Sequence, residues 1–488
     1  MTRADSRWRV AVVGGGIAGL AAAYFLRDAA AVTVFEGSAR LGGKLAACEV
    51  AGIAADEGAE ALLARRPEGT GLIRAVGLAG QLVTPGTTSA RIWTRGAFHP
   101  LPERQLMGVP SDFGALARAG VLSAAGLERA RLDAELPATP ADGDLPVAAA
   151  VSARFGPEVV GRLVDPLLGG VYAGRSEDLS FEATLPGLAA AARRHRSLAE
   201  AAGTLLPPPA TGPGDGPVFV TLAGGLGTLP PAVAAASGAR LRTGCMVREL
   251  SRIPNGWRLV TGPASRPETV QADAVILAVP ARPASRLLAG VTATAAAALG
   301  EIRYASMAIV TLAYPRAAFA APLAGSGYLV PAVDGRAVKA VTFSTVKWPH
   351  LLSAQREHQG RGGLHVVRCS VGRIGEEAIL QRDDAELAEL AAREFAVATG
   401  VSGPPAEARV TRWGGGLPQY SVGHLDRVAR IRAAVAAQPG LAVCGAAYDG
   451  LGIPACIATA QVAAGRVLEH LNNRGGGHGS TTTADAGQ

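Results

Sequence analysis

The run Val10-Ala11-Val12-Val13-Gly14-Gly15-Gly16-Ile17-Ala18-Gly19-Leu20 constrains the fold of this chain more than any other feature. A short apolar, β-favouring stretch ends in a glycine cluster, and a helical pattern begins straight after it. Gly14, Gly16 and Gly19 stand at the G-x-G-x-x-G spacing. The first allows a tight turn, the second lets a pyrophosphate approach the backbone, and the third lets the helix pack closely on the strand. The helix N-terminus then turns its positive dipole end toward the phosphates. A second strand, Val32-Thr33-Val34-Phe35, ends at Glu36, 22 positions after Gly14, where a carboxylate can hold a ribose hydroxyl. These features in this order predict a parallel α/β unit that binds a dinucleotide. The alternative is a tight strand-to-helix turn with no ligand.

At 488 residues, 49% of them hydrophobic, the chain is long enough for two or three globular domains with ample core. Its net charge of +7 comes almost entirely from arginine, because Lys44, Lys339 and Lys347 are the only lysines. Base composition accounts for most of that bias, although a polyanionic substrate would also draw on arginines. No dense basic run and no zinc-ligand spacing occurs, so nucleic acid is not expected as a partner. Cys48, Cys245, Cys369, Cys444 and Cys456 are scattered without a C-x-x-C pair, which reads as reduced thiols and no metal site. No secretory region opens the sequence and no apolar run is long enough to span a bilayer, so a cytoplasmic location is expected. Peripheral membrane contact stays open.

The segment after Glu36, Ala39-Arg40-Leu41-Gly42-Gly43-Lys44, narrows the dinucleotide. It resembles the R-x-G-G extension of flavoproteins in the amine oxidase and phytoene desaturase superfamily and is unlike nicotinamide dehydrogenases. The resemblance implies non-covalent FAD, with Arg40, Gly42, Gly43 and Lys44 along its flavin side. Asp56-Glu57-Gly58-Ala59-Glu60 fits the next part of the pattern, an acidic-glycine turn before a helix.

Patterning then divides the chain. Helical periodicity marks Phe113 to Leu132 and Val147 to Leu168, and the Pro/Gly-rich run Leu205 to Gly214 ends this stretch. Buried-type strands resume at Val218 to Leu222, Arg240 to Leu250, Trp257 to Val260 and Ala274 to Pro280. Strands at Ala308 to Ala313 and Leu364 to Val371 mix with a helix over Asp383 to Ala398, and a helix from Ala455 to Leu471 closes the fold. The expected architecture is α/β: a discontinuous Rossmann-like FAD-binding domain (1–87, 218–284 and 408–473), an α+β substrate domain (88–95 and 285–407), a helical insert (96–217) and a disordered tail (474–488).

Four further segments resemble the porphyrinogen oxidase family, which contains protoporphyrinogen and coproporphyrinogen oxidases. The first is Asp165-Pro166-Leu167-Leu168-Gly169-Gly170-Val171-Tyr172-Ala173-Gly174. The resemblance implies that the Gly170 carbonyl accepts hydrogen bonds from pyrrole N–H groups, and a flat macrocycle reaches a carbonyl most closely where no side chain intervenes. The second, Ser89-Ala90-Arg91-Ile92-Trp93 with Gly96 to Pro102, implies that Arg91 binds a propionate. The third, Gly327-Tyr328-Leu329-Val330-Pro331 with Thr342 to His350, ends in Lys347-Trp348-Pro349-His350. That ending is similar to the bacterial coproporphyrinogen oxidase branch and offers Lys347 as a second anchor. The fourth pairs Pro418-Gln419-Tyr420-Ser421-Val422-Gly423-His424 with the closing FAD motif Cys444 to Ile457. It implies cofactor contacts at Gly445, Gly452 and Ile453, and Val247 matches the residue whose backbone meets the adenine.

Membership would imply the oxidation of coproporphyrinogen III to coproporphyrin III in haem biosynthesis, a six-electron reaction using molecular oxygen and releasing hydrogen peroxide. It would also imply product transfer to the next haem-pathway enzyme. Protoporphyrinogen IX is the alternative substrate. A flavin amine oxidase or carotenoid desaturase shares the FAD segments but has no need of the Gly170 motif, and a non-catalytic FAD-binding protein is the remaining reading. No histidine stands out as a catalytic acid or base; His424 reads as structural.

Overall fold

The strand Trp8–Val13 lies at the centre of a five-stranded parallel sheet ordered Arg240–Arg242, Ala30–Phe35, Trp8–Val13, Ala274–Leu277, Leu441–Val443. The computed structural model describes residues 7–137, 143–207, 216–352 and 363–476. Val10–Val13 and Ala274–Leu277 are buried on both faces, as their unbroken apolar runs require. One face packs the helix Ile17–Leu26, which lies against the helices Leu229–Ser237 and Ile453–Gly476. The other face meets a three-stranded antiparallel sheet (Val247–Ile253, Gly256–Thr261, Glu268–Ala272) and two alanine-rich helices, around buried Trp257.

A second, seven-stranded sheet runs Glu407–Pro418, Tyr304–Pro315, Leu364–Val371, Val338–Phe343, Gly327–Leu329, Ala90–Thr94, Ala97–Pro100. All its pairings are antiparallel except Gly327–Leu329 with Ala90–Thr94. One face buries Trp93, Tyr314, Tyr328 and Val341 against Leu387, Ala391 and Phe395 of the helix Asp384–Thr399. Asp383 and Glu386 close a capping box at the start of that helix.

The sheet includes two strands that patterning had assigned elsewhere. Ala97–Pro100, expected in the insert, is its edge strand, and Glu407–Pro418, expected almost wholly in the nucleotide-binding part, is its opposite edge. Both are half-exposed edges, so neither shows the apolar alternation that marks a core strand.

The insert forms its own apolar core of short helices. Phe113 to Leu132 is divided into Phe113–Ala119 and Ala124–Arg131 by Gly120, and Asp112 and Ser123 cap the two starts. Val147 to Leu168 is likewise divided: Val147–Phe155 stops at Gly156, and a π turn at Val160–Val164 leads into the helix Asp165–Tyr172. No helix follows the acidic turn directly, since the short strand Leu62–Leu63 precedes the helix Pro67–Ala75. The last helix runs to Gly476, past the expected start of the tail. Residues 208–214 of the expected linker and 477–488 of the tail lie outside the described residues.

Candidate active site

The glycine turn separates internal packing from space left for a ligand. Gly14 has φ +112°, and a Cβ there would meet the Ala278 carbonyl oxygen at 2.7 Å; one on Gly19 would meet the Gly14 oxygen at 1.9 Å. Those two glycines are required by the protein's own backbone. A Cβ on Gly16 would meet nothing within 4 Å among the described residues, and Gly16 has an ordinary φ of −74°. Its missing side chain serves no internal packing, and the space in front of it is what a bound pyrophosphate needs.

Of the remaining predicted cofactor residues, Glu36, Gly42, Gly43 and Gly445 lie directly against this turn. Glu36 accepts hydrogen bonds from Gly15 N at 2.7 Å and Ser38 N at 2.8 Å. Its backbone oxygen accepts from Cys245 N, which brings Val247 to the same end of the sheet. Gly42 bridges to Gly16, and Gly43 lies beside it, 3.3 Å from Gly16 Cα to an ideal Cβ. Arg40 donates to the Gly43 carbonyl at 2.9 Å. Burial lowers the Lys44 pKa. Gly445 N donates to Thr459 Oγ1 at 2.9 Å, while Gly452 and Ile453 form the N-terminus of the closing helix. This arrangement fits a dinucleotide: open space in front of Gly16, two helix N-termini and one acidic residue at the ribose position.

Gly170 and Val171 are exposed in the last turn of Asp165–Tyr172, where carbonyls run out of helical partners. A Cβ on Gly170 would touch only Leu329 Cδ2, at 3.5 Å, among the described residues. The turn is held from behind: Gln419 Nε2 donates to the Tyr172 carbonyl at 2.8 Å, and Ile374 N donates to the Ala173 carbonyl at 2.8 Å.

The expected substrate anchors do not join Gly170 on one face. Arg91 pairs in register with Tyr328, stacks 4.3 Å from the Phe98 ring and donates to the Ala324 carbonyl. Successive side chains alternate across a strand, so Arg91 shares the Trp93–Tyr328 face, whereas Leu329 occupies the face that meets Gly170. Lys347, expected to meet a propionate, is instead held by Glu60 at 3.2 Å. Glu60 also accepts from Trp348 Nε1 at 2.7 Å and pairs with Arg368, which donates to the Gly58 carbonyl at 2.5 Å. Burial alone would raise the Glu60 pKa, but Lys347 and Arg368 hold it down at about 2. Nearby Asp56, buried and accepting from Leu226 N and Gly227 N, is pushed up to about 6 by burial.

Sequence reasoning missed this cluster. Its signal was a charged residue, Arg368, set between Val367 and Cys369 in the Leu364–Val371 strand, and acids on both sides of Gly58. Among the described residues no group of His, Cys, Asp and Glu could hold a metal, all five cysteines are free, and no helix is long and apolar enough to cross a membrane.

The model of the flavin containing amine oxidoreductase family matches residues 17–468. The coproporphyrinogen III oxidase of Mycobacterium tuberculosis (strain H37Rv) is 39% identical over 467 residues, covering 94% of this chain and 97% of the relative. The chain belongs to the porphyrinogen oxidase family. Another porphyrinogen oxidase relative, the coproporphyrinogen III oxidase of Bacillus subtilis (strain 168), is 30% identical, covering 96% of this chain and 99% of the relative. A solved structure from Exiguobacterium sp. 255-15, provisionally named a protoporphyrinogen oxidase, superposes with a TM-score of 0.82 at 30% identity, over 96% of this chain and 99% of the other.

Proposed function

We propose that this porphyrinogen oxidase converts coproporphyrinogen III to coproporphyrin III in haem biosynthesis, with non-covalent FAD, and with oxygen reduced to hydrogen peroxide. The observation that carries the reading is the exposed Gly170–Val171 turn, which is tied through Gln419 and Tyr420 to the loop of the closing flavin motif. When bound, FAD supplies the two-electron acceptor, and three rounds remove the six electrons. The protein supplies position. The Gly170 carbonyl accepts a pyrrole N–H, and Leu329 and Val171 offer an apolar surface to the ring.

Arg91 is proposed to meet a propionate at the rim of the sheet, around the Phe98 side, and Lys347 is left out of that role because Glu60 holds it. The macrocycle redistributes its own protons by imine–enamine exchange, so no dedicated acid–base pair is required. Burial keeps His424 neutral, with its pKa near 4, and it serves no proton transfer at neutral pH. A cytoplasmic location is proposed on the five free thiols. Delivery of product to the next haem-pathway enzyme and a peripheral membrane contact remain proposals of the same kind.

The test is product formation in air. Coproporphyrinogen III should yield the visible porphyrin spectrum with about three hydrogen peroxide per porphyrin. Absence of porphyrin, or its formation without peroxide, would count against the reading.

A further inference from the structure

Tyr420 touches three separate parts of the molecule at once. Its hydroxyl donates to the Ala446 carbonyl at 2.7 Å and accepts from Gly450 N–H at 2.7 Å, which pins both ends of the loop between Gly445 and Gly452. Its ring meets the Tyr172 ring edge-on at 5.6 Å, at the end of the Gly170 helix. Its backbone oxygen accepts from Ser180 N in the helical insert. Tyr420 is fully buried, and the His424 ring stacks on it at 3.9 Å with the planes 13° apart. His424 Nε2 meets the Tyr448 carbonyl at 3.0 Å, which fixes that ring in turn.

The loop needs such a partner. Gly445 and Gly450 both have φ values in the left-handed range, so the segment between them has no regular ladder to bond into. The neighbouring residue works on the opposite side: Gln419 donates its amide to the Tyr172 carbonyl. Adjacent side chains of one short segment therefore hold the Gly170 helix and the flavin-motif loop in a single arrangement.

We propose that Tyr420 is a positioning residue for the oxidation: it fixes the separation between the Gly170 turn, where the macrocycle binds, and the loop of the closing flavin motif. The inference rests on the functional reading above. Tyr420 has no acid–base role in it, since burial pushes its phenol far above the usual tyrosine range. A misplacement of about 1 Å between reacting partners can cost about a hundredfold in rate, whereas the binding contacts on each side survive separately.

The experiment uses Tyr420→Phe in the full-length, flavin-loaded protein. The expected result is a kcat lowered about 10- to 100-fold with KM changed less than about threefold. The flavin absorbance envelope should shift, flavin content should stay full, and the pH–rate profile should keep its shape. Tyr420→Leu, which also removes the contact with Tyr172, should lower kcat further. Wild-type kcat in Tyr420→Phe, loss of a limb from its pH profile, or a loss of rate matched by equal loss of flavin would each overturn the proposal. A wild-type protein that oxidises no porphyrinogen would overturn the functional reading instead. The loop contact would then be judged on flavin absorbance and affinity in the two variants, and unchanged values would overturn it as well.

Discussion

Lys347 Nζ and Glu60 Oε1 stand 3.2 Å apart inside the protein, joining the turn Ser344–Lys347 of the seven-stranded sheet to the segment that follows the strand Ile53–Asp56. Arg368 completes the pair as a triad, and the two halves of the molecule meet through it. Glu60→Gln leaves buried Arg368 and half-buried Lys347 without their anion and should destabilise by about 3 kcal/mol at pH 7. The sign follows from a carboxyl with a folded pKa of about 2 against a reference of 4.5: its contribution is complete above pH 4.5 and is lost as pH falls toward 2. Urea melts at pH 7 and pH 3 should show the gap between wild type and variant narrowing at the lower pH. Equal midpoints at pH 7 would remove the triad as a stabilising feature.

Asp56 has the opposite sign. Burial raises its pKa from 3.8 to about 6, so the folded state favours the protonated acid and loses that advantage as pH rises from 4 through 6. Asp56→Asn should therefore gain on wild type as pH rises across that window, although its single amide oxygen can serve only one of Leu226 N and Gly227 N, which bond to separate oxygens of the carboxyl group. A constant difference between the two proteins from pH 4 to 7 would contradict this assignment.

Gly16→Val should fold and fail to hold flavin. The side chain enters space that the described residues leave open, and the backbone there is ordinary for any residue. The expected outcome is an apo-protein with near wild-type melting in flavin-free comparison. Full flavin occupancy in the purified variant would place the pyrophosphate elsewhere.

Gly170→Ala separates positioning from folding cleanly. Gly170 is helical, and the added methyl reaches only an ordinary contact with Leu329. Helix propensity favours alanine by up to about 1 kcal/mol, so melting should hold or rise while turnover falls about a hundredfold. Wild-type turnover with full flavin would take Gly170 out of the site.

Arg91→Ala should raise KM about fivefold and leave kcat nearly unchanged, a cost of about 1 kcal/mol suited to a rim contact in solvent. Unchanged KM for a tetrapropionate substrate would confine Arg91 to its place beside Phe98 and Ala324.

The nucleotide-binding half was legible in the sequence because its physics is local. Buried parallel strands need unbroken apolar runs, and Gly14 and Gly19 leave no room for a side chain against the neighbouring backbone. The edge strands Ala97–Pro100 and Glu407–Pro418 were not legible, because an edge half open to solvent needs no apolar alternation. At the site, the motif around Gly170 falls on an exposed helix end, whereas Lys347, expected as an anchor, is paired with Glu60. Its partner Glu60 lies 287 positions away in sequence, and no spacing rule links residues that distant. Tyr420 was visible only as part of a motif; its two hydrogen bonds to the Gly445–Gly452 loop exist only once the chain has folded.

The central claim is that this chain oxidises a porphyrinogen and prefers the one with four propionates. Anaerobic stopped-flow mixing of the flavin-loaded protein with coproporphyrinogen III or protoporphyrinogen IX, followed at the flavin absorbance band, tests it directly. The account predicts rapid bleaching with both and a higher second-order rate constant for coproporphyrinogen III. Faster bleaching by protoporphyrinogen IX would contradict the preference, and a flavin that neither substrate bleaches would contradict the function.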